Sequence, residues 1–250
     1  MNILLYLAVG IFGVLVGSFL NVLILRLPKG EDVVFDASHC PVCEKQLHWY
    51  ELVPIFSFLI QRGKCRGCST PISKQYPLIE FANSVLWLIA FWRLGFSYTT
   101  VCFVIAVSML LAISVIDART MVIQPELNRV ILVVAVITVL LNLSEFEEYF
   151  IGMLLVSAPL FLLFIITDGK GIGFGDVKLM ATCGLLIGGR FILLGFLIGC
   201  GLGSVLHLIR MKFFNADNQL ALGPYLAAGV YIATLWGIPI LTWYFLLFIS

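Results

Sequence analysis

The chain has 250 residues, of which 61% are hydrophobic and only 12% charged, with a formal net charge of +1 and a mean hydropathy of +1.08. That composition excludes a water-soluble globular domain, because so few polar side chains could not cover its surface. A bilayer protein is expected, and no nucleic-acid partner.

A membrane-crossing helix needs about 20 predominantly apolar residues. Such stretches recur near 2–25, 78–94, 99–116, 128–144, 149–166, 177–189, 191–209 and 220–237. They predict an all-α polytopic membrane protein with about eight transmembrane helices, divided into a first helix (1–25), a loop insert (26–77) and a transmembrane core (78–250). The opening MNILLYLAVGIFGVLVGSFLNVLIL lacks a basic start and a small-residue cleavage site, so a retained span is expected rather than a signal peptide. After Pro239 only 11 residues follow, too few to cross. They either extend the eighth helix past a kink or lie at the interface.

Lys and Arg accumulate in cytoplasmic loops. Seven lie in 26–77, and alternating sides from there puts Arg119, Arg129, Lys170, Lys178, Arg210 and Lys212 on the same face, leaving Arg93 and Arg190 opposite. The N-terminus is expected outside, the insert cytoplasmic, and the protein in the inner or plasma membrane.

The insert carries Cys40, Cys43, Cys65 and Cys68, two C-x2-C pairs separated by 21 residues. This spacing is close to that of a four-thiolate zinc site, closed and therefore structural. Metal binding would supply folding energy that a loop of this size cannot draw from a core of its own. A thiol switch or plain packing is the alternative, and a cytoplasmic position argues against disulfides. His39 and His48 read as loop residues or as support for the ligands. Cys102, Cys183 and Cys200 stand alone in apolar spans and read as packing residues.

Ionisable groups at membrane depth are functional candidates. Glu80 opens the second span, Asp117 closes the third, Asp168 lies in a glycine-rich loop, and Asp176 opens the sixth. Asp117 and Asp176 come from different helices, yet the alternation of spans brings both to the same membrane boundary. A paired-carboxylate site needs that convergence, with one group activating water and its partner polarising a carbonyl. The plainer alternative is that each acid marks a helix end facing water. Gly171, Gly173 and Gly175 would allow close backbone approach beside Asp176. Lys178 either acts on Asp176 or reaches toward lipid phosphate. Gly17, Ser18 and Asn21 read as helix-packing positions, with a hydrogen bond from Asn21 towards the paired acids as the alternative. Gly223 and Pro224 read as kink and packing positions, and Glu80 either as a partner for a basic residue of the insert or as a group that orients a helix.

With GFGD at 173–176, VGSFLNVLILRLP at 16–28, the paired CxxC with HWYELVP and YPLIE, and LALGPYLAAG at 220–229, the chain resembles the type IV prepilin peptidases. These are polytopic GxGD aspartic proteases, and the resemblance runs over nearly the whole length. It implies that Asp117 and Asp176 are the catalytic aspartates, supported by Gly173, Gly175 and Lys178. It also implies cleavage of the short basic leader of pilin, pseudopilin or competence-type precursors at the cytoplasmic face. Members with the cysteine insert commonly also methylate the new N-terminus with S-adenosylmethionine, which makes zinc and that methyl donor the expected cofactors. In DARTMVIQPEL, Glu126 follows Pro125 where the family usually has Asp or Asn, and the aspartate-to-proline spacing is about a residue longer. Glu126 and Asp168 are candidates to attract a basic leader. Asp117 ends a helix and Asp176 begins one, so the helix dipoles place the shared proton on Asp117.

Three rival readings stand beside this one. A peptidase without methylation would keep the insert as a purely structural element. A proton-coupled transporter would use the same acids as relays, and predicts internal repeats with broken helices, of which there is no convincing trace. A scaffold would use the insert to bind a partner.

Overall fold

The computed structural model describes residues 3–34, 36–214 and 220–249. Among the described residues there are nine α-helices: α1 (Ile3–Arg26), α2 (Phe56–Ile60), α3 (Gln75–Leu94), α4 (Tyr98–Thr120), α5 (Pro125–Leu141), α6 (Phe146–Ile166), α7 (Phe174–Ile187), α8 (Gly189–Phe214) and α9 (Gly223–Ile249). Apart from the five-residue α2, they coincide with the eight apolar segments to within a few residues at most ends. Six of them, α1, α3, α4, α6, α8 and α9, are long and apolar enough to cross a membrane. Helices α5 and α7 are shorter, at 17 and 14 residues. The architecture is thus all-helical and polytopic. Helix α9 runs through Pro239, so the C-terminal stretch continues the last helix.

Local chemistry sets the helix ends. The Ser97 hydroxyl accepts the Thr100 N–H at 3.1 Å and starts α4. Pro125 opens α5, where its missing N–H costs nothing. The link between α7 and α8 is the single residue Gly188, at φ +81°, a conformation that an L side chain rarely adopts.

The chain forms two compact units, residues 1–92 and 93–250. In the first, α1 and α3 approach closely through small residues. A methyl group on Gly17 would lie 2.7 Å from the Glu80 Cα, and one on Gly13 would lie 2.7 Å from the Ser84 Cα. Asn83 and Ser84 then donate to the Gly13 and Gly10 carbonyls at 2.8 and 2.9 Å. Asn21 donates to the Tyr76 carbonyl at 3.1 Å. These are the packing roles expected of Gly17 and Asn21, and such contacts hold helices together where no hydrophobic force acts between them.

In the second unit α4 is the inner helix. Of its most apolar window 67% is buried, against 22% for α6 and α8. It packs on α5 and α9, α5 packs on α7, and α6 lies against α7 and α8. Two glycine seams bring backbones together. A side chain on Gly184 would overlap the Gly152 carbonyl, joining α6 to α7, and one on Gly229 would lie 2.7 Å from the Gly199 nitrogen, joining α8 to α9. Between α5 and α7 the buried Thr182 hydroxyl donates to Asn128 Oδ1 at 2.7 Å. Asp117 and Asp176 are carried on α4 and α7 of this framework.

Candidate active site

Asp117 lies in the last turn of α4, which ends when Met121 turns to φ +53° and donates its N–H to the Asp117 carbonyl. The side chain is 4% exposed. Its Oδ2 accepts the backbone N–H of Gly223, the first residue of α9, at 2.9 Å. A methyl group on Gly223 would sit 2.7 Å from that oxygen, so any larger residue there would force the carboxylate to shift. The sequence reading treats Gly223 as a packing residue. Its neighbour Pro224 was the visible signal, because Gly-Pro at a helix start fixes the entry geometry but does not say what the amide will meet.

Asp176 is the third residue of α7 and is half-buried. Gly173 precedes the helix in an extended conformation and accepts the Asp176 N–H at 3.1 Å. A side chain at Gly173 would press within 3.1 Å of Asp176 Oδ2. Gly175 fits against Ile123, which lies in the connection just beyond Asp117. The contact of Gly175 with Ile123 thus brings the start of α7 to the connection that follows Asp117, at one end of the α4–α5–α7 packing.

The helix begins at Phe174, three residues before the expected span, so Gly175 stands on α7 rather than in the loop, and Lys178 follows it in the same helix. The Lys178 ammonium lies 4.4 Å from the centre of the Phe174 ring, a cation–π contact. Asp168 is exposed, at φ +49°, in the turn after α6. Glu126 pairs with Arg129 at 2.9 Å on the exposed first turn of α5.

A second constellation sits between α1 and α3. The sulfurs of Cys40, Cys43, Cys65 and Cys68 all lie within 4.8 Å of one another, with Cys40–Cys68 at 3.8 Å and Cys43–Cys65 at 4.0 Å. A tetrahedron with arms of about 2.3 Å has edges of about 3.8 Å, so the quartet fits a tetrahedral ion and could hold one. Each pair sits on a matching knuckle. Cys40 and Cys65 donate to the carbonyls of Lys45 and Thr70, and accept from the amides of Glu44 and Ser69, all at 2.9 Å. The Thr70 hydroxyl and backbone bring the Cys68 thiol down to about 6, whereas Cys43 is pushed up to about 11, the lowering by the Lys45 amide being outweighed by burial and the neighbouring thiols.

Neither histidine joins the sulfurs. His39 contacts the Ala37 carbonyl through Nδ1, and His48 stacks on Tyr50. The sequence reading missed Glu51. This carboxylate is 6% exposed, accepts the His48 N–H at 3.1 Å, and pairs with Lys45 at 3.1 Å. Among the described residues, Glu80 takes no lysine or arginine of the insert. Its Oε2 accepts the backbone N–H of Ile55 at 2.7 Å.

Residues 11–94 match the family described as Bacterial Peptidase A24 N-terminal domain, and residues 104–208 match the Type IV leader peptidase family. Three similar proteins, each named prepilin leader peptidase/N-methyltransferase, come from Stutzerimonas stutzeri, Pseudomonas aeruginosa and Bacillus subtilis. The first is 32% identical over 91% of this chain and 89% of its own length. The second is 30% identical over 91% and 89%, and the third 31% identical over 94% and 95%. No solved structure matches the chain. Matches that run through the insert, α4 and α7 alike leave one assignment: the chain belongs to the type IV leader peptidase family.

Proposed function

We propose that this protein is a prepilin peptidase that removes the leader of pilin-like precursors with Asp117 and Asp176 as its catalytic pair, and methylates the N-terminus so exposed. What supports the reading is the placement of Asp117 in the last turn of α4 and Asp176 in the first turn of α7, with Gly175 of α7 packed on Ile123 just beyond Asp117. Two acids sharing one proton can hydrolyse a peptide without a covalent intermediate. Asp176 takes a proton from water as the oxygen attacks the scissile carbonyl, while Asp117 donates a hydrogen bond to the carbonyl oxygen. The tetrahedral intermediate collapses as the C–N bond breaks, and the departing amine takes the proton that Asp176 removed from water.

We assign the shared proton to Asp117 Oδ1. Oδ2 accepts the Gly223 amide whether or not Oδ1 is protonated, and a last-turn position disfavours full charge, whereas the first turn of α7 favours it on Asp176. A residue-resolved titration that finds Asp176 protonated first would reverse the two roles.

We further propose that α5 and α7 also cross the bilayer, giving eight spans, with the N-terminus outside and the pair at the cytoplasmic face. The support is the clustering of Lys and Arg at one set of helix ends. There a precursor helix resting in the bilayer would present its leader junction. Zinc is the proposed occupant of the cysteine quartet, held by Cys40, Cys43, Cys65 and Cys68 as a closed structural ion that folds the insert. Methyl transfer from S-adenosylmethionine rests on the names of the relatives, and no residue of this chain is assigned to the donor.

Mass spectrometry of a coexpressed prepilin's N-terminus tests the whole reading. The wild type should give the cleaved chain carrying one methyl group. Asp117→Asn and Asp176→Asn should each lower cleavage by about 10²- to 10⁴-fold, the range for a general acid or base. Normal cleavage by both variants would remove the catalytic pair. Cleavage without the added methyl mass would leave a peptidase alone.

A further inference from the structure

Residues 49–60 of the insert do not bury themselves. Seven of the twelve are large apolar side chains at least 38% exposed, led by Trp49 (79%), Ile60 (71%), Phe56 (66%) and Leu59 (63%). A run so concentrated marks an interaction surface rather than scattered exposure.

Its position identifies what covers it. Ile55 is the centre of a tight turn in which the Phe56 N–H donates to the Pro54 carbonyl at 2.6 Å, with φ +59° and ψ −52°. A β-branched residue adopts that conformation only when its surroundings impose it. The imposing group is Glu80, which accepts the Ile55 N–H at 2.7 Å and is itself 5% exposed. Glu80 is the sixth residue of α3, so it stands about 7.5 Å along a helix long and apolar enough to span. A helix of 20 residues is about as long as the hydrocarbon core is thick, so the turn is pinned about 5–10 Å in from the membrane end of the helix, the depth an interfacial segment reaches.

Charge agrees with that placement. Arg62, Lys64 and Arg66 follow the apolar run and are exposed, and none is in an ion pair among the described residues. Glu51 is the one acid between residues 49 and 66, and it is buried against Lys45. An apolar face with bases beside it and no exposed acid is the composition of a segment lying in the plane of the bilayer.

We propose that residues 49–60 are an interfacial wedge, with Trp49, Phe56, Leu59 and Ile60 seated in the headgroup–acyl boundary beside α3 and Glu80 as the residue that holds the wedge there. The insert is then a membrane-docked element, a property independent of the catalytic assignment.

The test uses the full chain in phosphatidylcholine–phosphatidylglycerol nanodiscs, labelled with 5-fluorotryptophan, with the Trp49 line assigned through Trp49→Phe. A lipid carrying a nitroxide at acyl carbon 5 should broaden the Trp49 ¹⁹F line severalfold, and an aqueous gadolinium chelate should leave it nearly unchanged. Phe56→Ser/Leu59→Ser/Ile60→Ser and, separately, Glu80→Leu should at least halve the lipid-induced broadening. Broadening of wild-type Trp49 by the chelate and not by the lipid overturns the proposal. So does a lipid effect that appears only after a prepilin is added, which would make the surface a protein-docking face.

Discussion

The insert and the α4–α9 unit are stabilised in opposite ways. Between residues 36 and 74 the buried residues are Cys40, Glu51, Pro54 and Cys65, a set with almost no hydrocarbon. In α4 through α9, Ile113, Ile116, Leu127, Ile131, Leu179, Met180, Ile192, Leu226 and Val230 are all under 2% exposed. The first region depends on a few point contacts, four sulfurs and two carboxylates, and the second on packing spread over six helices. The difference teaches where chemistry can be placed: an acid embedded in distributed packing can be altered without loss of the fold, whereas in the insert the buried Glu51 and the cysteines are the contacts that hold it.

Metal removal should break this contrast most severely. Structural zinc contributes on the order of 10–16 kcal/mol to the folding of small zinc domains. Chelation should therefore open residues 36–74 to limited proteolysis while the unfolding midpoint of the helical unit stays put. Equal protection with and without chelator would show that the insert does not fold on a metal.

Next in size is Gly223→Ala, which forces a methyl group to within 2.7 Å of Asp117 Oδ2 unless something moves. Cleavage should fall by about 10- to 100-fold, as expected of a misplacement of up to 1 Å, with stability nearly unchanged. An activity within twofold of wild type would mean that the Gly223 amide does not position Asp117.

Acid should act on the insert through Glu51. The His48 amide, with Lys45 beside it, holds this carboxyl below its ordinary value. A group lowered in the folded state contributes stability that is fully present above the free value, about 4.3, and that disappears as pH falls through the folded value. Insert protection should thus decline below about pH 4 in wild type. Glu51→Gln should be weaker at neutral pH and lack that component of the decline. Parallel acid profiles for the two proteins would refute the assignment.

Smallest of all, Thr182→Val removes one hydrogen bond between α5 and α7 and should cost about 0.6 kcal/mol, the average for such bonds within membranes. Reversible unfolding in mild detergent would measure it, and a loss several times larger would mean that the helical unit also relies on point contacts.

Much of this was legible in the chain. Span positions follow from runs of apolar residues, and the cysteine quartet from two C-x2-C pairs at a fixed interval. Asp117 and Asp176 stood out because an acid is costly beside so much hydrocarbon. The less legible features share a cause, which is dependence on a partner distant in sequence. Gly223 meets Asp117 across 106 residues, and Glu80 meets the Ile55 amide rather than the basic side chain that its charge suggested. The start of α7 was misplaced for a local reason. Glycines at 171, 173 and 175 look like a loop that continues to the aspartate, but Gly173 ends the extended segment and Gly175 is already helical against Ile123.

The glycine seams at Gly152–Gly184 and Gly195–Gly199–Gly229 have a consequence for how such a sequence can drift. Outward positions such as Leu154, Leu162 and Leu197 can exchange one oily residue for another in small steps, each passing through a viable intermediate. At Gly152, Gly184, Gly199 and Gly229 no intermediate exists, since even alanine collides with backbone that cannot swing aside. Divergence is thereby channelled to the rim of the helical unit, and the close approach of α6 to α7 and of α8 to α9 is inherited as an all-or-nothing trait.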